Sequence, residues 1–298
     1  MMGVLVTAVL AGGCDKAGAR RLPEKIIGNH GIGPGEFVHP RAIAVGPDGA
    51  VYVVDKTARI QRFSPDGEFE ASWRMPAWDA GKPTGLMVDD RNRVWVADTH
   101  YARVIIYDRD GQELERFGAA GEGPGQFIFP THTALAADGT RYVSEYGGND
   151  RISRFSPRWE YLGSFGCQSD GPAALRRPQV MVLDKDQTLW VADTVQHRIC
   201  HFSPDGKLIG SIGTMGSGPG QLKYPYGLAL CPDGTFMVSE YENNRVQHLD
   251  RTGKCLDSWG GPGTRPGEFA EPWGIAVGKA GRVYVVDCKN HRVQVFRM

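Results

Sequence analysis

The sequence predicts an all-β fold, a six-bladed β-propeller of four-stranded antiparallel blades, on three observations. A proline recurs at positions 40, 83, 130, 178, 225 and 272, and fifteen residues after each stands an acid: Asp55, Asp98, Glu145, Asp193, Glu240 and Asp287. An arginine follows each acid by four to six residues, and four residues later comes Phe63, Tyr107, Phe155, Phe202, Leu249 or Phe296. Between these anchors the chain alternates short β-type runs with Gly- and Pro-rich turns at a period of 43 to 48 residues. Solenoid repeats of that length are helical, so the period points to propeller blades.

The elements follow in chain order. Residues 1–13 are apolar, too short to span a bilayer, and end in small residues directly before Cys14. The stretch resembles a bacterial lipoprotein signal, which makes Cys14 the expected lipid-bearing first residue of the mature chain and residues 14–24 its tether. Residues 25–298 are expected to form the propeller. Lys25 to Gly28, followed by Gly33-Pro34-Gly35-Glu36-Phe37, reads as a fourth strand with its connector, set ahead of the first unit. The sixth unit runs only to a third strand, so pairing the two ends would complete the last blade and remove two open sheet edges.

Within each unit an inner strand follows the proline and leads to a turn such as Pro47-Asp48-Gly49 or Pro232-Asp233-Gly234. A second strand carries a large side chain three residues before the acid: Tyr52, Trp95, Tyr142, Trp190, Met237 or Tyr284. A loop then leads to a third strand that opens on the arginine, and a fourth ends near Phe117-Gly118, Phe165-Gly166, Ile212-Gly213 or Trp259-Gly260. Connectors at 123–127, 218–222 and 265–269 each place an apolar residue three positions before the next proline.

Composition narrows the function. Thirty-four Lys and Arg balance thirty-four Asp and Glu, which gives no electrostatic footprint for nucleic acid or an anionic membrane, and no nucleic-acid partner is expected. Cys167, Cys200, Cys231, Cys255 and Cys288 do not recur at equivalent positions, so they are not a repeated disulfide device. There is no nucleophile elbow, Cys-x-x-Cys, phosphate-binding loop or EF-hand pattern, so any chemistry would come from residues spread around the ring.

Asn290-His291-Arg292-Val293-Gln294, Asn244-Arg245-Val246-Gln247 and Val191-Ala192-Asp193 resemble the NHL repeat, named for its Asn-His-Leu signature, and the resemblance covers residues 25–298. It implies a six-bladed propeller without implying one activity, since such propellers include lyases, sensor ectodomains, lactonase-like relatives and RNA-binding modules. Peptidyl-hydroxyglycine lyases, which resemble this fold, take zinc-binding histidines from the position after the blade proline. Here those positions hold Arg41, Thr84, Thr131, Gln179, Tyr226 and Trp273, so neither a metal nor another cofactor is expected.

The ring of acids reads as architecture, each carboxylate facing the arginine of its own repeat and backbone N–H groups of the following turn. Glu145 and Glu240 are expected to reach Tyr146 and Tyr241. Function is expected where equivalent positions stop matching, because architecture constrains the rest. Arg41, Gln179, Tyr226 and Trp273, with His132 one residue out of place and Tyr146 and Tyr241 from the loops, form the expected binding set at the mouth of the channel. Side chains that merely plug the channel are the bland alternative. The expected function is a non-catalytic binding platform of the bacterial cell envelope, lipid-anchored on the non-cytoplasmic side, with a protein or small-molecule partner and no catalytic residue. The alternative is a lyase or hydrolase with a differently built metal site.

Overall fold

An inner strand begins at or within two residues of each proline, and in the computed structural model, which describes residues 21–79, 82–167 and 171–298, six four-stranded antiparallel sheets result. Cys14 and the signal-like segment lie outside the described residues. The inner strands are Pro40–Val45, Gly85–Val88, Phe129–Leu135, Pro178–Leu183, Pro225–Leu230 and Pro272–Val277. Each packs against the inner strands of both neighbours, and the sixth returns to the first, so the ring is closed around a central channel. Among the described residues no helix is long and apolar enough to cross a membrane.

Closure occurs where the sequence places it. Lys25–Ile27 pairs antiparallel with Arg292–Arg297, Ile27 opposite Val293, and becomes the outer strand of blade 6. Ile27 is buried there, and without this strand the edge of Arg292–Arg297 would be left open.

Hydrophobic residues on both faces of the second and third strands fill the spaces between blades. Val51–Asp55, Val94–Asp98 and Leu189–Asp193 are buried at every position. In five blades the residue three before the proline is a plug: Phe37, Phe127, Leu175, Leu222 and Phe269 are wholly inaccessible.

The acids are buried latches, not exposed ion pairs. Each pairs with the arginine of its own blade: Asp55–Arg59, Asp98–Arg103, Glu145–Arg151, Asp193–Arg198, Glu240–Arg245 and Asp287–Arg292, at 2.5 to 3.2 Å. In five blades the carboxylate also accepts the N–H two residues before the blade proline, from Val38, Ile128, Arg176, Lys223 or Ala270. The arginines turn outward onto connector carbonyls, as Arg245 does to Ser217, Gly218 and Gln221. One carboxylate thus ties a strand end to the chain entering its own blade. Burial pushes the Glu145, Asp193, Glu240 and Asp287 carboxyls up, and the N–H and arginine contacts pull them back. Glu145 and Glu240 do not pair with Tyr146 and Tyr241; their extra methylene is taken up inside the latch, where Asn243 also donates to Glu240 and the Asn149 amide oxygen accepts from Arg151.

A second device joins one blade to the next. Where the loop residue before the arginine offers an acceptor, it takes the N–H of the residue before the next blade proline. These bonds are Arg177 N–H to Asp150, Tyr224 to His197 Nδ1, Glu271 to Asn244 and His39 to His291 Nδ1, at 2.9 to 3.1 Å. All four donors have left-handed backbone, φ 48 to 58°, a costly conformation for these side chains that the bond helps to hold. Blades 1 and 2 have Ala58 and Ala102 at the acceptor position, and Phe129, which faces Ala102, keeps ordinary backbone. The histidine of the signature, His291, is therefore a blade-to-blade buckle.

Candidate functional site

A β-bulge builds the channel mouth. In five blades the strand register shifts immediately after the proline, between Pro40 and Ala42, Pro130 and His132, Pro178 and Met181, Pro225 and Gly227, and Pro272 and Ile275. Proline has no N–H for the ladder, and the unpaired residue that follows is re-aimed. That residue is Arg41, Thr131, Gln179, Tyr226 or Trp273.

Two of the six mouth positions are closed by their own neighbours. Thr84 Oγ1 lies 2.8 Å from Thr99 Oγ1, and Thr131 Oγ1 lies 2.8 Å from Ser144 Oγ while donating to the Pro178 carbonyl. Gln179 is fully buried, and neither atom of its amide has a partner among the described residues.

The remaining positions form an arc of alternating aromatic rings and guanidinium groups. Arg177 lies over Tyr146 at 4.7 Å and over Tyr226 at 5.3 Å; Tyr226 packs on Trp273 at 4.4 Å; Arg41 lies over Trp273 at 4.8 Å. Tyr241 braces the arc from behind, 5.0 Å from Tyr226 and edge-on to Trp273. Its hydroxyl meets Glu271, and burial followed by that contact pushes its pKa up. The structure thus brings Arg41, Tyr146, Tyr226, Tyr241 and Trp273 together, and it adds Arg177, which sequence reasoning missed. The available signal was its place before a blade proline, where His39, Lys82, Phe129, Arg177, Tyr224 and Glu271 match no better than the mouth positions do.

The electrostatics of the arc are lopsided. Among the described residues neither Arg41 nor Arg177 forms an ion pair, and the Nε of each is buried without a partner. Burial pushes the Arg41 pKa down and the nearby Arg177 adds to the shift, while burial followed by the adjacent cations lowers Lys82 and His39. Tyr226 and Trp273 are themselves 7% and 8% exposed and belong to the hydrophobic cluster between blades 6 and 1. They are core and site at once.

His132 lies deeper, in the channel wall. Its Nδ1 accepts the Met181 N–H at 3.5 Å, and the ring also bonds the Leu86 backbone, so it straps together three inner strands. Enclosure by those strands pushes its pKa down to about 4.

Among the described residues one grouping has metal-ligand chemistry: Cys231, Asp233 and His248, at the blade 5 turn. Its centre is taken by the Thr235 hydroxyl, 2.6 Å from both Asp233 Oδ1 and His248 Nε2. Blade 4 repeats the chain with Asp186, Thr188 and His201, so the grouping is a turn clasp. The five cysteines at 167, 200, 231, 255 and 288 are free thiols.

Fold and mouth together define the class: a six-bladed β-propeller with an aromatic-walled channel mouth whose arginines have no ion-pair partner among the described residues. The NHL repeat family matches residues 269–296. Protein brain tumor of Drosophila melanogaster is 25% identical over 113 residues, 38% of this chain and 10% of that protein. NHL repeat-containing protein 3 of Mus musculus is 27% identical over 163 residues, 49% of this chain and 46% of that protein. The chain thus spans at most about half the length of these relatives. Among solved structures, a streptogramin B lyase superposes with TM-score 0.65 at 17% identity, covering 91% of this chain and 96% of that one. A putative gluconolactonase gives 0.67 at 17% identity, covering 93% and 94%. Virginiamycin B lyase from Staphylococcus aureus gives 0.59 at 16%, covering 87% and 80%. At such identities the likeness shows the fold alone.

Proposed function

We propose that this propeller is a non-catalytic binding platform whose ligand or protein partner docks at the channel mouth, and that a lipid on Cys14 holds it to the non-cytoplasmic side of a bacterial envelope. The observation that carries the binding reading is the arc: two guanidinium groups without carboxylate partners, laid on tyrosine and tryptophan faces in a half-buried recess. Desolvated, uncompensated cations cost stability, so a chain that keeps them gains something other than folding from them. Arginine, tyrosine and tryptophan are also the residue types that dominate binding hot spots. The anchor reading rests on the apolar run and the small residues before Cys14.

The lyase or hydrolase alternative, with a metal site of another build, has less support. Both faces of the one channel histidine, His132, are engaged with backbone, and the Cys231 grouping is closed on Thr235. Balanced charge over the whole chain speaks against nucleic acid as the partner.

Crosslinking and recovery from native envelopes with the full chain as bait tests the platform. Arg41→Ala and Arg177→Ala should each weaken partner retention by about 1 to 4 kcal/mol while the melting temperature holds. Equal recovery by both variants would remove the mouth from consideration. Trp273→Ala is a poorer probe, since its burial adds a stability loss of about 3 to 5 kcal/mol. Mass spectrometry of membrane-extracted protein tests the anchor: an unmodified Cys14 still preceded by Met1 would refute it.

A further inference from the structure

The channel beneath the arc is as apolar as its mouth is cationic. Its volume is about 410 Å³, and its wall includes Leu86, Met87, Val180, Leu228, Ile275 and Val277. That volume falls in the range of small-molecule sites, about 300 to 1,000 Å³, in which apolar walls carry the body of a ligand and a few polar groups orient it. Of the polar side chains on the wall, Thr84 is turned to Thr99 and His132 to the Leu86 and Met181 backbone; Thr133 adds a neutral hydroxyl, and the one full charge among the lining residues is Arg41. Orienting power is therefore concentrated at one end, at Arg41 and Arg177.

From this division we infer that the channel takes an anionic amphiphile, an organic acid whose carboxylate lies between the two guanidinium groups and whose hydrocarbon or aryl body runs down the apolar bore. The inference rests on the mouth being the binding site and adds the chemical class of the ligand. Three observations point the same way. Each guanidinium lies over aromatic rings, Arg41 over Trp273 and Arg177 over Tyr146 and Tyr226, and a ring offers its N–H donors no lone-pair acceptor. The buried Nε of each lacks a partner, and a planar carboxylate supplies acceptors in the geometry a guanidinium fork matches. Lys82 and His39 are lowered in pKa first by burial and then by neighbouring positive groups, Lys56 and Arg41 among them, so cations gather on the Arg41 side of the mouth in a chain with no net charge. A cationic or neutral amphiphile would find the bore but leave the arginines unneutralised.

Isothermal titration of the purified full chain with decanoate, kept below its micelle-forming concentration, tests the inference against acetate, decanol and decyltrimethylammonium. Decanoate should bind, with acetate weaker by about 100-fold or more because it lacks the body. Decyltrimethylammonium should not bind measurably. Arg41→Gln and Arg177→Gln should each weaken decanoate about tenfold, the loss of a charge-assisted hydrogen bond, at unchanged melting temperature. Decanol binding as tightly as decanoate, or both variants retaining parental affinity, would overturn the acid head; acetate binding as tightly would overturn the apolar body. If no probe binds while envelope partner recovery still depends on Arg41, the ligand class is wrong and the mouth stands. If partner recovery ignores the mouth as well, both readings fall.

Discussion

The same residue type, arginine, occupies two rings of this molecule and lives under opposite rules in them. In the latches Arg59, Arg103, Arg151, Arg198, Arg245 and Arg292 each face a buried carboxylate, and most of them reach on to connector carbonyls. At the mouth Arg41 and Arg177 lie on aromatic rings and form no ion pair among the described residues; the nearby Glu271 is paired with Lys289 instead. The latch repeats six times because every blade needs its strand end tied to its connector. The mouth varies from blade to blade, with only Thr84 and Thr131 alike, because nothing in the fold needs it to be uniform. Regularity marks what holds the ring, and its breakdown marks where the ring is open to a partner.

The largest effect should come from breaking a latch. Glu240→Ala leaves Arg245 partly buried without its charge partner and orphans the Lys223 N–H, and urea unfolding should show a loss of about 3 to 5 kcal/mol. A loss under about 1 kcal/mol would mean that the latches are ornamental. Next, deleting residues 15–30 removes the strand Lys25–Ile27 and the burial of Ile27, and should cost roughly 3 kcal/mol with new self-association, whereas deleting 15–20 should be neutral. Equal melting temperatures for parent and both truncations would refute closure by this strand.

Acid separates the buckles and the strap from the latches. His132, His197 and His291 are pushed below the ordinary histidine value, chiefly by burial, so the unfolded chain binds protons that the folded chain refuses. The stability they provide is present above about pH 6.5 and is lost as pH falls; for His132 the loss runs down to about pH 4 and amounts to about 3 kcal/mol. The latch carboxyls raised by burial have the opposite sign: their contribution is present at low pH and fades as pH rises through their folded values. His132→Gln should flatten the stability profile between pH 6.5 and 4.5, and an unchanged slope would clear His132 of the effect. The smallest effect sharpens the comparison most. Arg41→Gln should stay within about 0.5 kcal/mol of the parent, or gain stability as a desolvated charge is removed, while Arg245→Gln should destabilise clearly. Equal losses in the two variants would erase the distinction between latch and mouth.

Most of the architecture was legible before any coordinates. A proline, an acid fifteen residues on and an arginine beyond it specify blade number, strand order and the latch, because these are local relations within about twenty residues of one repeat. The closing strand was legible from counting strands, Arg41, Tyr226 and Trp273 from the failure of their positions to match, and Tyr146 and Tyr241 from the variant loops that carry them. Two things were not. Tyr146 and Tyr241 stand next to their glutamates in sequence yet turn away from them, since the glutamate is drawn into the latch while the tyrosine packs on a ring of its own blade, Phe129 or Tyr226, and meets the next blade at Arg177 or Trp273. His132 shares the run that holds the mouth residues, and only the bulge after Pro130 decides that it lies within the wall.

The sequence by itself determined the repeat, and with it the fold, because strand propensity, turn chemistry and the latch spacing are all set within one blade. Only the tertiary structure decided which side chains from different blades meet. Arg177 and Arg41 stand 136 positions apart in sequence, and their approach to Tyr146, Tyr226 and Trp273 follows from the left-handed turn before Pro178, the bulges after Pro40 and Pro272, and the closure of the ring. A contact between blades depends on the angle that every blade contributes to the circle, and no single repeat encodes that sum.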